Sequence, residues 1–368
     1  METKTKTIAA LALALVVVLT AFAIMKVESG GNDTVVLHTT GATFPQYQVQ
    51  EWIDTYQEGH PNVKIEYEGG GSGHGQEAFM QGLTEIGRTD PPVSESTWNK
   101  FTATGDQPLQ FPEVVGAVVI SYNVPGVRDI KLTQDSLVGV FIGDIEYWDD
   151  PMIVRNNPDM ELPHEKIIVV HRSDSSGTTS IFTTYLSVIN RTWADTVGAG
   201  KTVNWPTDEI GRGLGGKGNP GVVSTLKQTE YSICYTELSF AIEEGLPTAY
   251  LENAAGSYVK PTDSAIKAAV AGVSSKIPEP DEGYKEDLTQ LLNAPGSESY
   301  PIVAFTHMLI WKNLNGKHYC PEEASAIKEF LTWVLTEGQK PENLAPGYVG
   351  LPEDVARMGL SAVNQIQT

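Results

Sequence analysis

Apolar and polar residues alternate in short runs along most of the chain, and stretches with helical spacing separate these runs. Val63, Ile65 and Tyr67 alternate with polar residues, as in a half-buried strand. In the preceding stretch Val49 and Trp52 begin an apolar series with the spacing of a helix face. The pattern predicts strands at 34–39, 63–67, 111–123, 167–170, 231–235 and 301–312, with a short strand that ends at 89–90.

Strands that alternate with helices indicate an α/β fold with mostly parallel sheets. The two long apolar runs, 111–123 and 301–312, are interpreted as the chain crossings between two lobes. On this interpretation residues 34–122 and 258–368 build the first lobe, and residues 123–257 build the second.

The composition indicates a globular, loop-rich protein, with 40% hydrophobic residues, 35 Gly and 22 Pro. A length of 368 residues allows about two domains. The formal net charge of -21 argues against nucleic acid as a partner, because like charges repel. It also means that local dipoles and hydrogen bonds must hold any bound anion against an unfavourable long-range field.

The first 33 residues have the composition of a membrane segment followed by a linker. Lys4 and Lys6 precede an uncharged run at 8–25, which as a helix would be about 27 Å long, near the thickness of the bilayer core. We expect an uncleaved anchor that leaves the rest of the chain outside the cytoplasm. A cleaved signal peptide is the alternative, because 21–23 (Ala-Phe-Ala) resembles a cleavage site.

Three turns rich in Gly, Ser and Thr each follow a predicted strand and open a predicted helix. They span 41–45, 69–73 and 172–178. Each should direct free backbone N–H groups and the positive end of a helix dipole towards a common point. Taken together they predict a site for a small oxyanion, whereas each turn alone is equally typical of a helix cap.

The third turn carries the positive charge of the predicted site. Arg172 offers a planar guanidinium that suits an oxyanion, and Asp174 would orient it through a salt bridge. Ser176, Gly177 and Thr178 begin the next helix, where hydroxyl and backbone N–H groups can donate to one anion. An ordinary Ser cap beside an exposed Arg is the alternative.

Asp90 follows a short predicted strand beside the other two turns. A carboxylate repels an anion unless the anion has a proton to donate, which hydrogen phosphate has and sulfate at neutral pH lacks. Sites built around a ligand OH group can reject an analogue without it by about 10⁴–10⁵. Asp90 therefore favours phosphate, and a turn-forming Asp before proline is the alternative interpretation.

Two other functions are compatible with these turns. One is binding of sulfate, molybdate or an organic phosphate. The other is a secreted phosphatase or serine hydrolase with Ser176 as the nucleophile, which would need a base or a metal cluster. The seven His residues show no HExxH motif or other tight ligand pair, so we expect a binding protein without catalytic residues, metal or cofactor.

The two cysteines, Cys234 and Cys320, fit no metal-ligand or redox spacing. We interpret both as small buried hydrophobic residues. A disulfide between them in an oxidising compartment is the alternative.

The chain resembles the phosphate-binding proteins of high-affinity phosphate ABC transporters, a family of two-lobed extracytoplasmic solute-binding proteins. The resemblance extends over nearly all of residues 34–366. The matching strings are 41–45, 67–73, 89–91, 172–178, 203–206 and 213–219.

The resemblance implies a type II periplasmic-binding-protein-like fold, with mixed sheets flanked by helices and a two-strand hinge. It also implies that inorganic phosphate is bound between the lobes and passed to the membrane permease of an ABC transporter. The residues that it assigns to phosphate are Thr43, Phe44, Ser72, Asp90, Arg172, Ser176, Gly177 and Thr178, with Asp174 in support.

Three features depart from the family pattern. The lipid-attachment cysteine of many relatives is missing, which favours a protein anchor. His171 stands where relatives often have a second Arg, and we expect it to face solvent at a strand end. Arg88 lies close to Asp90, and we expect it to be exposed; the alternatives are pairing with Asp90 and a position over the mouth of the cleft.

Overall fold

An eight-stranded mixed sheet runs through the protein. The computed structural model describes residues 34–103, 105–271, 277, 279–282 and 291–368. In chain order the strands of this sheet are β1 (Val35–Gly41), β2 (Val63–Gly69), β3 (Ile86–Thr89), β4 (Pro108–Asn123), β6 (Ile168–Arg172), β7 (Gly213–Gly216), β8 (Ser232–Glu237) and β11 (Val303–Trp311).

A smaller sheet and a set of helices complete the fold. The strands of the small sheet are β5 (Lys131–Leu132), β9 (Tyr250–Glu252) and β10 (Tyr258–Val259). The α-helices are α1 (Gln46–Gly59), α2 (Ser72–Met80), α3 (Glu95–Thr102), α4 (Gln134–Ile142), α5 (Pro151–Val154), α6 (Gly177–Ile189), α7 (Arg191–Thr196), α8 (Pro206–Glu209), α9 (Gly218–Gln228), α10 (Leu238–Glu243), α11 (Asp263–Val270), α12 (Pro321–Val334) and α13 (Glu353–Val363). Short 3-10 turns lie at Leu314–Gly316, Glu337–Gln339 and Pro341–Asn343.

The large sheet is parallel at both ends and antiparallel in the middle. Its strand order is β2-β1-β3-β11-β4-β8-β6-β7. β1 pairs in parallel with β2 and β3, and β6 pairs in parallel with β7 and β8. Between these groups β4 pairs antiparallel with β11 along its first part and with β8 along its second. Two long strands, β11 and β4, therefore join the parallel groups, because β11 also pairs antiparallel with β3. The division into lobes at 122 and 258 stays a prediction.

The core follows the apolar faces that the sequence pattern marks. Val49, Trp52 and Ile53 of α1 are buried, and β4 is buried along nearly its whole length. Burying a side chain of this size contributes roughly 1.5–3 kcal/mol, so the amphipathic faces decide how the helices pack on the sheet. The α/β prediction is confirmed, with strand ends shifted by up to a few residues.

The cysteine prediction is right for one residue and wrong for the other. Cys234 is fully buried in β8, whereas Cys320 is exposed and caps the first turn of α12, where its sulfur accepts from the backbone N–H of Glu323 at 3.5 Å. Both are free thiols, so the alternative of a disulfide between them is wrong.

The predicted anchor or signal segment at 8–25 lies outside the described residues. Among the residues that are described, no helix has the length and apolar character needed to cross a bilayer.

Candidate functional site

The three predicted turns meet at the carboxyl ends of parallel strands. The turn after β1 contacts the turn after β2, because the N–H groups of Gly70 and Gly71 both donate to the carbonyl of Gly41, at 2.9 and 2.8 Å. The turn after β2 contacts the turn after β6, because the N–H of Gly73 donates to Ser175 O at 3.0 Å. β1 and β2 belong to one parallel group and β6 to the other, which runs in the opposite direction. In each group the turn follows the carboxyl end of a strand, where open α/β sheets bind ligands.

Asp90, Ser72 and Gly177 come together although they lie in three separate segments. Ser72 Oγ donates to Asp90 Oδ2 at 3.2 Å and accepts from the N–H of Asp90 at 3.0 Å. A Cβ atom at Gly177 would overlap both Asp90 Oδ2 and Ser72 Oγ. Only glycine fits at position 177, and the first turn of α6 can therefore lie directly against the Asp90 carboxylate.

Arg172 is held by a bidentate salt bridge. Its Nε donates to Asp174 Oδ1 at 2.8 Å and its Nη2 donates to Asp174 Oδ2 at 2.5 Å, so the predicted orienting role of Asp174 agrees with the geometry. Its Nη1 points the other way, towards Thr178 Oγ1 at 3.2 Å. The side chain of Arg172 is 1% exposed, which makes its charge effective at short range.

Asn219 is a site residue that the residue-by-residue prediction missed. Its backbone N–H and its Nδ2 donate to Thr43 Oγ1 at 3.2 and 3.3 Å, and Nδ2 also reaches Thr178 Oγ1 at 3.3 Å. Its Oδ1 accepts from Arg172 Nη1 at 3.4 Å. Asn219 therefore bonds to three predicted site residues. The signal that could have identified it is its position at the end of the string 213–219, one of the strings that match the family.

Several backbone N–H groups of these turns have no hydrogen-bond acceptor among the described residues. Those of Phe44, Ser72, Gly177 and Thr178 donate to no other protein group in the part of the chain that the structure describes. Three of the four belong to the first turns of α2 and α6, where a helix leaves its N–H groups without intrahelical partners. Ser176 caps α6 by accepting from the N–H of Thr179 at 3.0 Å, and its hydroxyl hydrogen stays available for donation.

Burial changes the protonation of Asp90. The carboxyl is 2% exposed, and its burial raises its pKa to about 7. The charge of Arg172 and the hydroxyl donors of Thr306 and Ser72 oppose this rise, while the charge of Asp174 adds to it. Asp90 is therefore poised between carboxylate and carboxylic acid near neutral pH, so it can share a proton with an acidic ligand.

The predictions for Arg88 and His171 were wrong. Arg88 is fully buried and forms a close ion pair with Glu113, not with Asp90, and its Nε donates to Thr39 Oγ1. His171 is 5% exposed; its ring stacks on Trp205 at 5.0 Å and its Nε2 lies 2.8 Å from Asp208 Oδ1.

All eight residues predicted to bind phosphate lie in or next to these turns, and the structure brings them together. Within the described residues no group of three or more His, Cys, Asp or Glu side chains is arranged to hold a metal ion. The arrangement combines one cation, several hydroxyl and N–H donors, and one carboxyl of raised pKa. Such a set suits an oxyanion that carries a proton.

Known proteins are similar in sequence to this chain over nearly its whole length. A model of the PBP superfamily domain matches residues 28–337. The phosphate-binding protein PstS of Methanocaldococcus jannaschii is 69% identical over 338 residues, which cover 91% of this chain and 87% of that protein. The chain belongs to the PstS family of phosphate-binding proteins. A more distant PstS, from Pasteurella multocida, is 36% identical over 317 residues, or 86% of each protein.

The fold of this PstS family member also matches a solved structure. A high-affinity periplasmic phosphate-binding protein, determined with bound phosphate, superimposes with a TM-score of 0.67 at 22% identity, over 91% of this chain and 99% of that one. This likeness confirms the periplasmic-binding-protein-like α/β fold that the sequence predicted.

Proposed function

We propose that this protein captures inorganic phosphate at the site formed by the three turns and delivers it to an ABC transporter. The observation that carries the proposal is the placement of the buried Asp90 carboxyl against the first turn of α6, within the same site as the Arg172 guanidinium. The PstS names of the relatives support the same ligand.

The eight predicted residues divide the recognition between them. Arg172 and the free N–H groups of Phe44, Ser72, Gly177 and Thr178 would hold the negatively charged oxygens. Asp90 would accept the proton of the phosphate OH, which sulfate cannot offer at neutral pH. The hydroxyl groups of Thr43, Ser176 and Thr178 add donors that need no net charge, whereas the Ser72 hydroxyl hydrogen is used by Asp90.

A hydrolytic function is the less favoured alternative. Ser176 Oγ accepts from the N–H of Thr179, and within the described residues no His or carboxylate bonds to it. A serine nucleophile needs an adjacent base. The site is therefore proposed to bind its ligand without chemical change.

We place this function outside the cytoplasm, with the segment at 8–25 as an anchor unless it is cleaved. Delivery to a permease would follow closure of the predicted lobes around phosphate. Intact-mass measurement of the protein isolated from its native membranes would distinguish an anchored chain from a cleaved one.

Titration calorimetry tests the ligand. We expect tight binding of phosphate and no measurable binding of sulfate at pH 7. The Asp90→Asn variant replaces an acceptor by an amide donor of the same shape, so its preference for phosphate over sulfate should fall by at least about tenfold. A parent protein that binds both anions equally, or an Asp90→Asn variant with unchanged preference, would reject the role of Asp90.

A further inference from the structure

Glu237 is a fully buried carboxyl at the end of β8, outside the set of residues assigned to phosphate. Its Oε2 accepts from the N–H of Ser239 at 2.9 Å and makes a short hydrogen bond with Ser239 Oγ. Its Oε1 has no hydrogen-bond partner among the described residues, and no cationic side chain there forms an ion pair with it. An ionised carboxylate in such surroundings is costly, so the carboxyl is favoured in its neutral form.

Tyr348 connects Glu237 to the first anion-binding turn. Its Oη lies 2.6 Å from the carbonyl oxygen of Phe44, 2.9 Å from Ser239 Oγ and 3.1 Å from Glu237 Oε2. All four residues are buried. Phe44 thus has two roles: its N–H, which has no acceptor among the described residues, is one of the donors proposed for phosphate, and its carbonyl accepts from Tyr348.

Counting hydrogens assigns the direction of these bonds. The carbonyl of Phe44 has no hydrogen, so the single hydroxyl hydrogen of Tyr348 must lie between Tyr348 Oη and Phe44 O. The contact between Tyr348 and Ser239 then needs the hydroxyl hydrogen of Ser239. The short contact between Ser239 and Glu237 needs a third hydrogen, which only a protonated Glu237 can supply.

Ionisation of Glu237 would leave two of the four contacts among these oxygens without a hydrogen, whereas the protonated form leaves only the longest, Tyr348 to Glu237 at 3.1 Å. The Ser239 hydroxyl would turn towards the carboxylate, and the oxygens of Ser239 and Tyr348 would face each other at 2.9 Å with only lone pairs between them. The protonated form instead satisfies a continuous series, from Glu237 to Ser239 to Tyr348 to the Phe44 carbonyl.

We propose that Glu237 and Tyr348 are positioning residues for anion binding, and that Glu237 acts as a neutral carboxylic acid at the head of a three-bond relay that holds the Phe44 turn in place. The proposal rests on phosphate binding as proposed above. The relay would contact the ligand only through Phe44. Its loss would therefore change the position of the Phe44 N–H donor and remove no group that binds phosphate.

The groups that face Glu237 favour its protonation. Asp90, beyond the end of β3, carries negative charge when ionised; Tyr47 of α1 and Tyr348 are neutral phenols. At the nearest positions of β4, Gly116 and Val118, there is no titratable side chain. Burial raises the pKa of Glu237 to about 8, although the nearby donors of Ser239 and Tyr348, which would stabilise the ionised form, lower it in part. The relay is therefore complete below about pH 8 and is lost as the pH rises through that value.

The first test is the pH dependence of phosphate affinity, measured by calorimetry from pH 7 to pH 10. Phosphate is already mainly a dianion above pH 8, so its own titration contributes little there. The parent should lose affinity as the pH rises through 8 and level off about five- to tenfold weaker, the loss expected when the relay is broken. Glu237→Gln cannot ionise, so its affinity should be nearly level over this range.

The second test separates the relay from general packing. Tyr348→Phe removes the donor to Phe44 and should weaken phosphate binding about five- to tenfold at pH 7. Tyr300→Phe is the matched control, because Tyr300 is also a buried phenol that donates to a backbone carbonyl, Val118 O, at 3.1 Å. Its affinity should stay within about twofold of the parent.

Infrared spectroscopy over a pH titration detects the proton on the Glu237 carboxyl directly. It needs no phosphate, and every residue of the relay stays intact. In the Asp90→Asn background a protonated carboxyl band should persist at neutral pH and disappear with a midpoint near pH 8. Absence of this band, an alkaline loss of affinity retained in Glu237→Gln, or equal affinity of Tyr348→Phe and Tyr300→Phe would each overturn the proposal. A parent that binds no phosphate at pH 7 would instead contradict the proposed function, and the infrared result would still decide whether Glu237 is neutral.

Discussion

Two buried arginines near the site, Arg88 and Arg172, are paired with carboxylates in different ways. Arg88 forms a close ion pair with Glu113 through Nη1 and donates from Nε to Thr39 Oγ1 at 2.9 Å, so it ties β3 to β4 and β1. Arg172 places Nε and Nη2 on Asp174 and leaves Nη1 directed at Thr178 in the site.

This difference teaches that a buried charge is not by itself a binding charge. Both guanidiniums are almost completely inaccessible, and burial lowers the pKa of Arg88 to about 10. What separates them is the direction of the remaining N–H donors. Arg88 directs Nη1 and Nε to Glu113 and Thr39, both outside the candidate site, whereas Arg172 keeps a donor at the point where the three turns meet.

The largest expected effect is on stability, from Arg88→Met. The substitution leaves Glu113 buried without its partner, so the free energy of unfolding should fall by about 3–5 kcal/mol. Chemical denaturation measures this loss. The double variant Arg88→Met with Glu113→Met removes both charges and should recover most of the stability; a loss below about 1 kcal/mol in the single variant would show that the pair is not structural.

The second-largest expected effect is a loss of phosphate affinity in the Arg172→Ala variant. Loss of the charge-assisted bonds should weaken binding about 30- to 1000-fold in calorimetry, and Asp174 left without its cation adds repulsion. Arg191→Ala is the control, because Arg191 is exposed and forms a surface pair with Asp195. Near-parent affinity in Arg172→Ala would remove the distinction between the two arginines.

A smaller effect is expected from Asn219→Ala, which sharpens the comparison by leaving Arg172 in place. Asn219 bonds to Thr43, Thr178 and Arg172, so its loss should weaken phosphate binding about five- to tenfold through poorer placement of these donors. Asn157→Ala removes a similar set of buried side-chain bonds elsewhere, to Lys131 and Ile153. It should lower stability without changing affinity; equal affinities of the two variants would contradict the role of Asn219.

Local patterns predicted seven of the eight strands of the large sheet, all but β7, and the turns that form the candidate site; they missed the short strands of the small sheet. Alternation and helical spacing predicted the strands and the helix faces because each depends on residues a few positions apart. The turns at 41–45, 69–73 and 172–178 were recognisable because Gly, Ser and Thr mark strand-to-helix turns wherever they lie in a fold.

The long-range partners were decided only by the tertiary structure. Arg88 meets Glu113, Asn219 meets Thr43, and Glu237 reaches Phe44 through Ser239 and Tyr348, across up to 304 positions of chain. Nothing in a local sequence pattern states which strands become neighbours, so the partner of a buried charge cannot be predicted from the residues beside it. By itself the sequence determined which segments can offer donors to an anion. Sheet order and packing decided which of the charged side chains face it, since a charge acts strongly only at short distance and away from water.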